Sequence, residues 1–389
     1  MNTDKIRKDF PILKDGKIVY FDNACMSLKP VQVVQAMERY YYEFPGCAGR
    51  SMHKIGKRTE EEYAKAREKV AKFVNAKSGE IVFTKNTTES INLLSHSMRL
   101  GKNDVVLTTD KEHNSNLVPW QNHRHDVIKT NADGTFSMDN FEAMLSKDVK
   151  LVSVVHASNI DGVTNPVKEI CSMAHDAGAN VILDCAQSAP HKEIDVKRLD
   201  ADFIAFSGHK MLGPSIGVLY GRRELLEELP PFMTGGDTVS RTTYKTADFL
   251  KPPEKFEAGL QNYAGAIGLA AAIDYLKDAG MKSVEKHEAE LNSYATKLIS
   301  EIDGISILGP SADKRGGILS FNIEGMDFHQ IALMLNETSI MVRSGQHCVH
   351  SWFESRGIKG SVRASLYLYN TREEIERFAE AVKKIAKMR

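Results

Sequence analysis

The stretch FIAFSGHKMLGPSIGVLYG, residues 203–221, leads from one apolar segment through a Gly/Pro turn into another. Short apolar runs bounded by Gly and Pro read as buried strands. Ser207, His209 and Lys210 leave the first of these strands together. Working outward, four more runs share this texture: IVFT (81–84), VVLTT (105–109), LVSVV (151–155) and VILDC (181–185). Amphipathic segments lie between several of them. TEEEYAKAREKVAKFVN (59–75) places Tyr63, Ala66, Val70, Phe73 and Val74 at helical spacing, and Thr59 with Glu62 reads as its capping box. VKEICSMAHDAGA (167–179) predicts a helix closed by Gly178. Strands alternating with helices predict an α/β fold on a mainly parallel sheet, and in such sheets ligands sit beyond the carboxyl ends of the strands.

The texture changes near residue 262. NYAGAIGLAAAIDYLKDAG and the segment up to Ile302 predict long helices. A strand (GGILSFNI), a helix (FHQIALMLNE), a loop holding Cys348, a strand (SVRASLYLY) and a capped terminal helix (NTREEIERFAEAVKKIAKMR) follow. The expected organisation is a large α/β domain over residues 17–290, with residues 1–16 and 291–389 forming a smaller α+β domain that carries the Cys348 loop. A chain of 389 residues is long enough for two cores.

Lys plus Arg and Asp plus Glu balance at 51 each, which gives no reason to expect nucleic acid or an anionic membrane as partner. The opening MNTDKIRKDF is charged, and no apolar run approaches the roughly 18 residues of a membrane span. The five cysteines, Cys25, Cys47, Cys171, Cys185 and Cys348, are irregularly spaced and include no CxxC pair. Neither a disulfide framework nor a structural zinc site is expected, and a reducing cytoplasm is the expected compartment.

Chemistry-bearing residues collect just after the strands. Thr87 and Thr88 follow IVFT at a helix N-terminus, a position suited either to a plain cap or to a phosphate. His113 follows VVLTT. His156 and Asn159 follow LVSVV. Asp184 ends an apolar strand, where a lone carboxylate is costly and calls for a cation, and Gln187 lies one short turn on. Lys210, if desolvated, has a lowered pKa and can form a Schiff base with a carbonyl. Pyridoxal phosphate uses this whole set. Its aldehyde suits Lys210, its phosphate the helix end, its ring nitrogen Asp184, its phenolic oxygen the amides, and its flat ring an imidazole.

With these residues in view, the chain resembles the class V aminotransferase family of fold-type I pyridoxal-phosphate enzymes, and within it the SufS-type cysteine desulfurases. The likeness runs almost end to end, through YFDNACMS, IVFTKNTTESIN, KEHNSNLVPWQ, HASNIDG, LDCAQSAPH, DFIAFSGHKMLGP, KFEAGLQN, VRSGQHC and VRASLYLYNT. It implies a seven-stranded, mainly parallel sheet and pyridoxal phosphate as cofactor. Lys210 becomes the Schiff-base lysine, His113 the stacking ring and Asp184 the partner of the ring nitrogen. Asn159 and Gln187 lie by the phenolic oxygen, and Thr88, Ser207 and His209 by the phosphate. Cys348 becomes the sulfur-accepting cysteine, and Arg363 binds the substrate carboxylate. Ala24 and Asn159 stand on the substrate side. Arg363 lies in an apolar strand and needs an anion in any case, either a ligand carboxylate or an internal ion pair.

The resemblance further implies L-cysteine as substrate, a homodimer and a sulfur-acceptor protein, with residues 45–55 and 235–265 as candidate subunit contacts. Selenocysteine lyase, or an aminotransferase or lyase in which Cys348 is incidental, stays open beside it. The cluster HCVH (347–350) on its own allows a chance grouping or a weak metal site. The chain departs from the family pattern in having Leu260 and Gln261 where Thr-Pro is usual. Cys25 and Cys185 stand where Ala and Gly are usual, and Cys47 lies near the expected mouth of the site. Each of these cysteines reads either as a small apolar side chain or as a sulfur-handling group.

Overall fold

The computed structural model describes residues 1–49 and 51–389. A helix, α1 (Lys54–Phe73), precedes a central sheet of seven strands. These are β1 (Ile81–Thr84), β2 (Val105–Thr109), β3 (Arg124–Ile128), β4 (Val149–Val155), β5 (Asn180–Asp184), β6 (Phe203–Ser207) and β7 (Gly217–Gly221). Their order is β1-β7-β6-β5-β4-β2-β3, and only β7 runs against the rest. The mainly parallel α/β fold expected from the sequence is therefore present.

Burial on both faces explains the apolar runs. Along β5, Val181 and Leu183 enter the apolar cluster on one face of the sheet, and Ile182 enters the cluster on the other. Each such side chain contributes roughly 1.5–3 kcal/mol when fully buried. Strand β3 was absent from the sequence reading. Its residues RHDVI form an edge strand that alternates exposed and half-buried positions before a buried Ile128, so no apolar run marks it.

Helix α1 begins five residues before Thr59, so the expected capping box is not there. The His53 ring accepts the N–H of Gly56 and caps the helix. Thr59 is buried inside it, and its hydroxyl donates to the carbonyls of Phe44 and Ile55. Helices α2 (Thr87–Ser97) and α3 (Asn114–Leu117) follow β1 and β2, and α4 (Val167–Asp176) joins β4 to β5. Gly178 closes α4 in the left-handed conformation, as expected.

Helices α5 (Tyr263–Ala279) and α6 (Met281–Ser300) lead to a second, antiparallel sheet of order β8-β9-β11-β10. It consists of β8 (Ile305–Ile307), β9 (Ile318–Ile323), β10 (Arg343–Gly345) and β11 (Ser361–Ser365). Helices α7 (Phe328–Glu337) and α8 (Arg372–Ala386) cover it, and Thr371 with Glu374 caps α8. The N-terminal segment crosses between the two apolar clusters. Phe10 and Leu13 pack into the cluster of the large sheet, whereas Val19 and Phe21 pack into that of the small one. Tyr367, Leu368 and Tyr369 cross the other way. Arg7 fastens this crossing by donating to the Tyr369 carbonyl and the Glu374 carboxylate, both at 2.7 Å.

Candidate active site

A cavity of about 270 Å³ opens at the carboxyl ends of β1, β2, β4, β5 and β6, and the small sheet forms its far wall. The residues given a cofactor, substrate or catalytic role from sequence line it: Ala24, Thr87, Thr88, His113, Asn159, Asp184, Gln187, Ser207, His209, Lys210, Cys348 and Arg363, whereas His156, also singled out at a strand end, does not. Asn86, Ser115 and Arg343, to which sequence reasoning gave no role, line it as well, as does His347 of the HCVH cluster.

The end of β1 turns into α2 at Asn86, whose side chain accepts the N–H of Glu89. The close approach of β7 makes this turn possible. A Cβ on Gly217 would lie 2.2 Å from Thr84 Oγ1 and 2.5 Å from the Asn86 nitrogen. The Thr87 N–H donates to Ser207 Oγ at 2.9 Å, and the two hydroxyls lie 2.7 Å apart. The helix start is thereby tied to the end of β6. Thr88 Oγ1 meets Ser115 Oγ at 2.7 Å, and the Thr88 N–H has no partner among the described residues. A helix N-terminus with free N–H and hydroxyl donors is a phosphate cradle.

Asp184 is 3% exposed and accepts one hydrogen bond, from the Ala186 N–H at 2.9 Å. Burial pushes its carboxyl up, against the pull of that N–H and of Lys210. A carboxylate so placed gains from a cation set against it. Burial also lowers the Lys210 amine, with Arg363 adding to the effect and Asp184 opposing it. His113 caps α3 by accepting the Ser115 N–H on Nδ1, so its proton sits on Nε2. Burial, Lys210 and Arg363 lower it to about 3, leaving an uncharged ring. Burial and the neighbouring Lys210 and Lys29 hold His209 at about 4.

The two amides are partly engaged. Asn159 donates to the His347 carbonyl and Gln187 to the Ala24 carbonyl, both at 2.7 Å. Each NH2 keeps a second N–H. Asn159 Oδ1, Gln187 Oε1 and Arg363 Nε are buried without a partner. Orphaned polar atoms around the cavity, a phosphate cradle and a buried carboxylate form a donor and acceptor set that fits pyridoxal phosphate.

Arg363 on β11 is 3% exposed and donates to the Asn159 carbonyl at 2.9 Å. Burial lowers it to about 10. Arg343 on β10 stands directly across from it. Asp22 separates these like charges. It takes Arg343 Nη2 at 2.6 Å and Arg343 Nε at 3.2 Å, while Arg363 Nη2 lies 3.8 Å away. The internal ion pair considered for Arg363 therefore goes mainly to Arg343, and Arg363 keeps an unspent edge.

Cys348 is exposed at the cavity mouth. It and His347 adopt left-handed backbone conformations, with φ of 58° and 50°. Its carbonyl accepts the Asn114 N–H at 2.7 Å, and Asn114 Nδ2 meets His350 Nδ1 at 2.9 Å. His347 Nε2 pairs with Ser361 Oγ at 2.9 Å. The cysteine loop is thus pinned to α3 on one side and β11 on the other. No cluster of metal-ligating side chains occurs among the described residues.

Leu260 is 71% exposed, and Gln261 folds back to donate to the Gly259 carbonyl. Neither lines this cavity. Cys25 does, whereas Cys171 and Cys185 are fully buried in the apolar core. Cys47 is exposed and lies 4.0 Å from the Tyr263 hydroxyl.

Fold and site together define a class V aminotransferase-type enzyme, and the family model for class V aminotransferases matches residues 19–378. The chain belongs to this family. A cysteine desulfurase of Haloferax volcanii is 40% identical, with 98% of this chain and 96% of that protein covered. The apo structure of a cysteine desulfurase from Thermococcus onnurineus is 39% identical, with a TM-score of 0.96 over 99% of this chain and 98% of that one. The Escherichia coli cysteine desulfurase CsdA, solved in an S-sulfonic acid form, is 34% identical, with a TM-score of 0.93 over 100% of this chain and 99% of its own.

Proposed function

We propose that the protein is a pyridoxal-phosphate-dependent cysteine desulfurase that converts L-cysteine to L-alanine and leaves the sulfur as a persulfide on Cys348. The observation that carries this reading is one cavity holding Lys210, Asp184, Arg363 and Cys348. When bound, pyridoxal phosphate supplies an aldehyde and an electron-accepting ring that weakens the bonds at an amino acid's α-carbon. Asp184 would hold that ring's nitrogen protonated, the uncharged His113 would support the ring, and the start of α2 with Ser207 and His209 would take the phosphate.

The unspent edge of Arg363 orients the substrate carboxylate, because a forked guanidinium matches a carboxylate. Lys210 Nζ takes the α-proton. Its lowered pKa leaves it an amine closer to neutral pH than a free lysine. Cys348 Sγ attacks the substrate sulfur. An S–S bond forms and the Cβ–S bond breaks. The electron pair of that bond, with a proton, completes the methyl group of alanine.

The exposure of Cys348 suits delivery of this sulfur to an acceptor protein, such as an iron–sulfur scaffold. Exposed Met52, Ile55, Tyr244, Phe249 and Leu260 give the 45–55 and 235–265 segments an apolar surface suited to a second copy. Residue 50 of the first segment lies outside the described residues. No helix among the described residues is long and apolar enough to cross a membrane. The five free cysteines suit a reducing cytoplasm.

The test is to expose the holoenzyme to L-cysteine, quantify alanine and weigh the Cys348 peptide. The peptide is expected to gain the mass of one sulfur atom, and Cys348→Ala is expected to lose alanine production. Full alanine production by Cys348→Ala would overturn the reading in favour of a lyase or aminotransferase.

A further inference from the structure

Two thiols, not one, face the cavity that holds Lys210. Cys348 stands at the mouth and is exposed. Cys25 stands on the substrate-side loop, lines the same cavity and is half-buried. The Cys25 N–H donates to the Asp22 carbonyl at 3.1 Å, which fixes the turn that presents its side chain. The other cysteines do not compete for this place. Cys171 and Cys185 are sealed in the core, where burial pushes Cys171 up to about 12 and Cys185 higher still, and Cys47 lies outside the cavity.

Three cations, Lys210, Arg343 and Arg363, line the same cavity as the two thiols. The carboxylate nearest to Cys25 along the chain, Asp22, is spent on Arg343 and Arg363. A persulfide is more acidic than a thiol and carries its charge on the terminal sulfur, so it is favoured where cations converge.

We propose that Cys25 is a second sulfur-carrying residue, which takes the terminal sulfur from the Cys348 persulfide so that one active site stores two sulfurs. This inference rests on the desulfurase reading above. In the step, the Cys25 thiolate attacks the terminal sulfur of the Cys348 persulfide. A Cys25–sulfur bond forms and the Cys348 S–S bond breaks. Its electron pair returns to Cys348 as a thiolate, which takes up the proton released from Cys25. No oxidant or reductant is consumed. Cys348 is then free for a second turnover.

The experiment uses the holoenzyme with excess L-cysteine and no added thiol or acceptor. It measures alanine formed per active site and maps sulfur onto the cysteine peptides by mass spectrometry. The wild type is expected to form about two alanines per site and to carry sulfur on both the Cys25 and Cys348 peptides. Cys25→Ala and Cys25→Ser are each expected to halve the alanine burst and to keep the sulfur on Cys348. Two variants are used so that a packing effect of one does not decide the result. Equal bursts in wild type and both variants, or a second sulfur found on any cysteine other than Cys25, would overturn the proposal. Absence of alanine and of sulfur on every cysteine of the wild type would instead overturn the desulfurase reading.

Discussion

Arg363 lies in a fully buried strand, lacks a partner on Nε, and is itself almost fully buried. A buried cation with an open edge is stabilised by whatever anion completes it. Replacing it by lysine keeps the charge but removes the planar fork. Charge-assisted hydrogen bonds contribute about 1.5–3 kcal/mol, so Arg363→Lys is expected to raise KM for L-cysteine by roughly 10- to 100-fold, with a smaller effect on kcat. An unchanged KM in steady-state kinetics would remove the carboxylate-binding role. At this scale the sequence was most informative, because Asp184, Lys210 and Arg363 are polar residues in apolar surroundings and stand out in the text of the chain. Arg343 and His347 were less legible. Their importance comes from neighbours far away in sequence, namely Asp22 for one and Ser361 for the other.

At the scale of elements, the site depends on how closely β1, β7 and the start of α2 can approach one another. The absence of a side chain at Gly217 sets that distance, since any Cβ would overlap Thr84 Oγ1 and the backbone of Asn86. Gly217→Ala is expected to push the start of α2 outward. The predicted results are a loss of about 1–3 kcal/mol of stability in urea unfolding and weaker retention of pyridoxal phosphate on dialysis. Wild-type retention in a folded variant would show that the turn is not the phosphate cradle. Element boundaries were harder to read than element types. Thr59 looked like a cap because Ser/Thr followed by Glu is a frequent start signal. In the fold, His53 supplies the cap and Thr59 serves to anchor Phe44. Strand β3 escaped because an edge strand needs only half of its residues to be apolar, and RHDVI shows even less than that.

The whole molecule carries buried imidazoles away from the site as well as within it. His156 is 5% exposed, sits behind Cys185, and is lowered to about 3 by burial and then by Lys192. The unfolded chain binds a proton there near pH 6.5, while the folded chain binds it only near pH 3. The unfolded state therefore holds more protons in this window, and folding stability contributed by this group falls as pH falls below about 6.5. His156→Gln removes the effect. Between pH 7 and pH 5 the stability gap between wild type and variant is expected to shift by roughly 2 kcal/mol in favour of the variant, measured by urea unfolding at both pH values. A gap independent of pH would show that the imidazole takes up its proton in the folded protein as readily as in the unfolded chain.

The backbone at Cys348 has a further consequence. Cysteine has no special tolerance for the left-handed region, where glycine and asparagine sit more comfortably. A chain shaped by folding alone would place one of those residues at position 348, and the loop would relax. Retaining a sulfur atom there means that conformational ease has been surrendered for reactivity at this one position, and the paired tethers to Asn114 and Ser361 are what keep the strained turn in place.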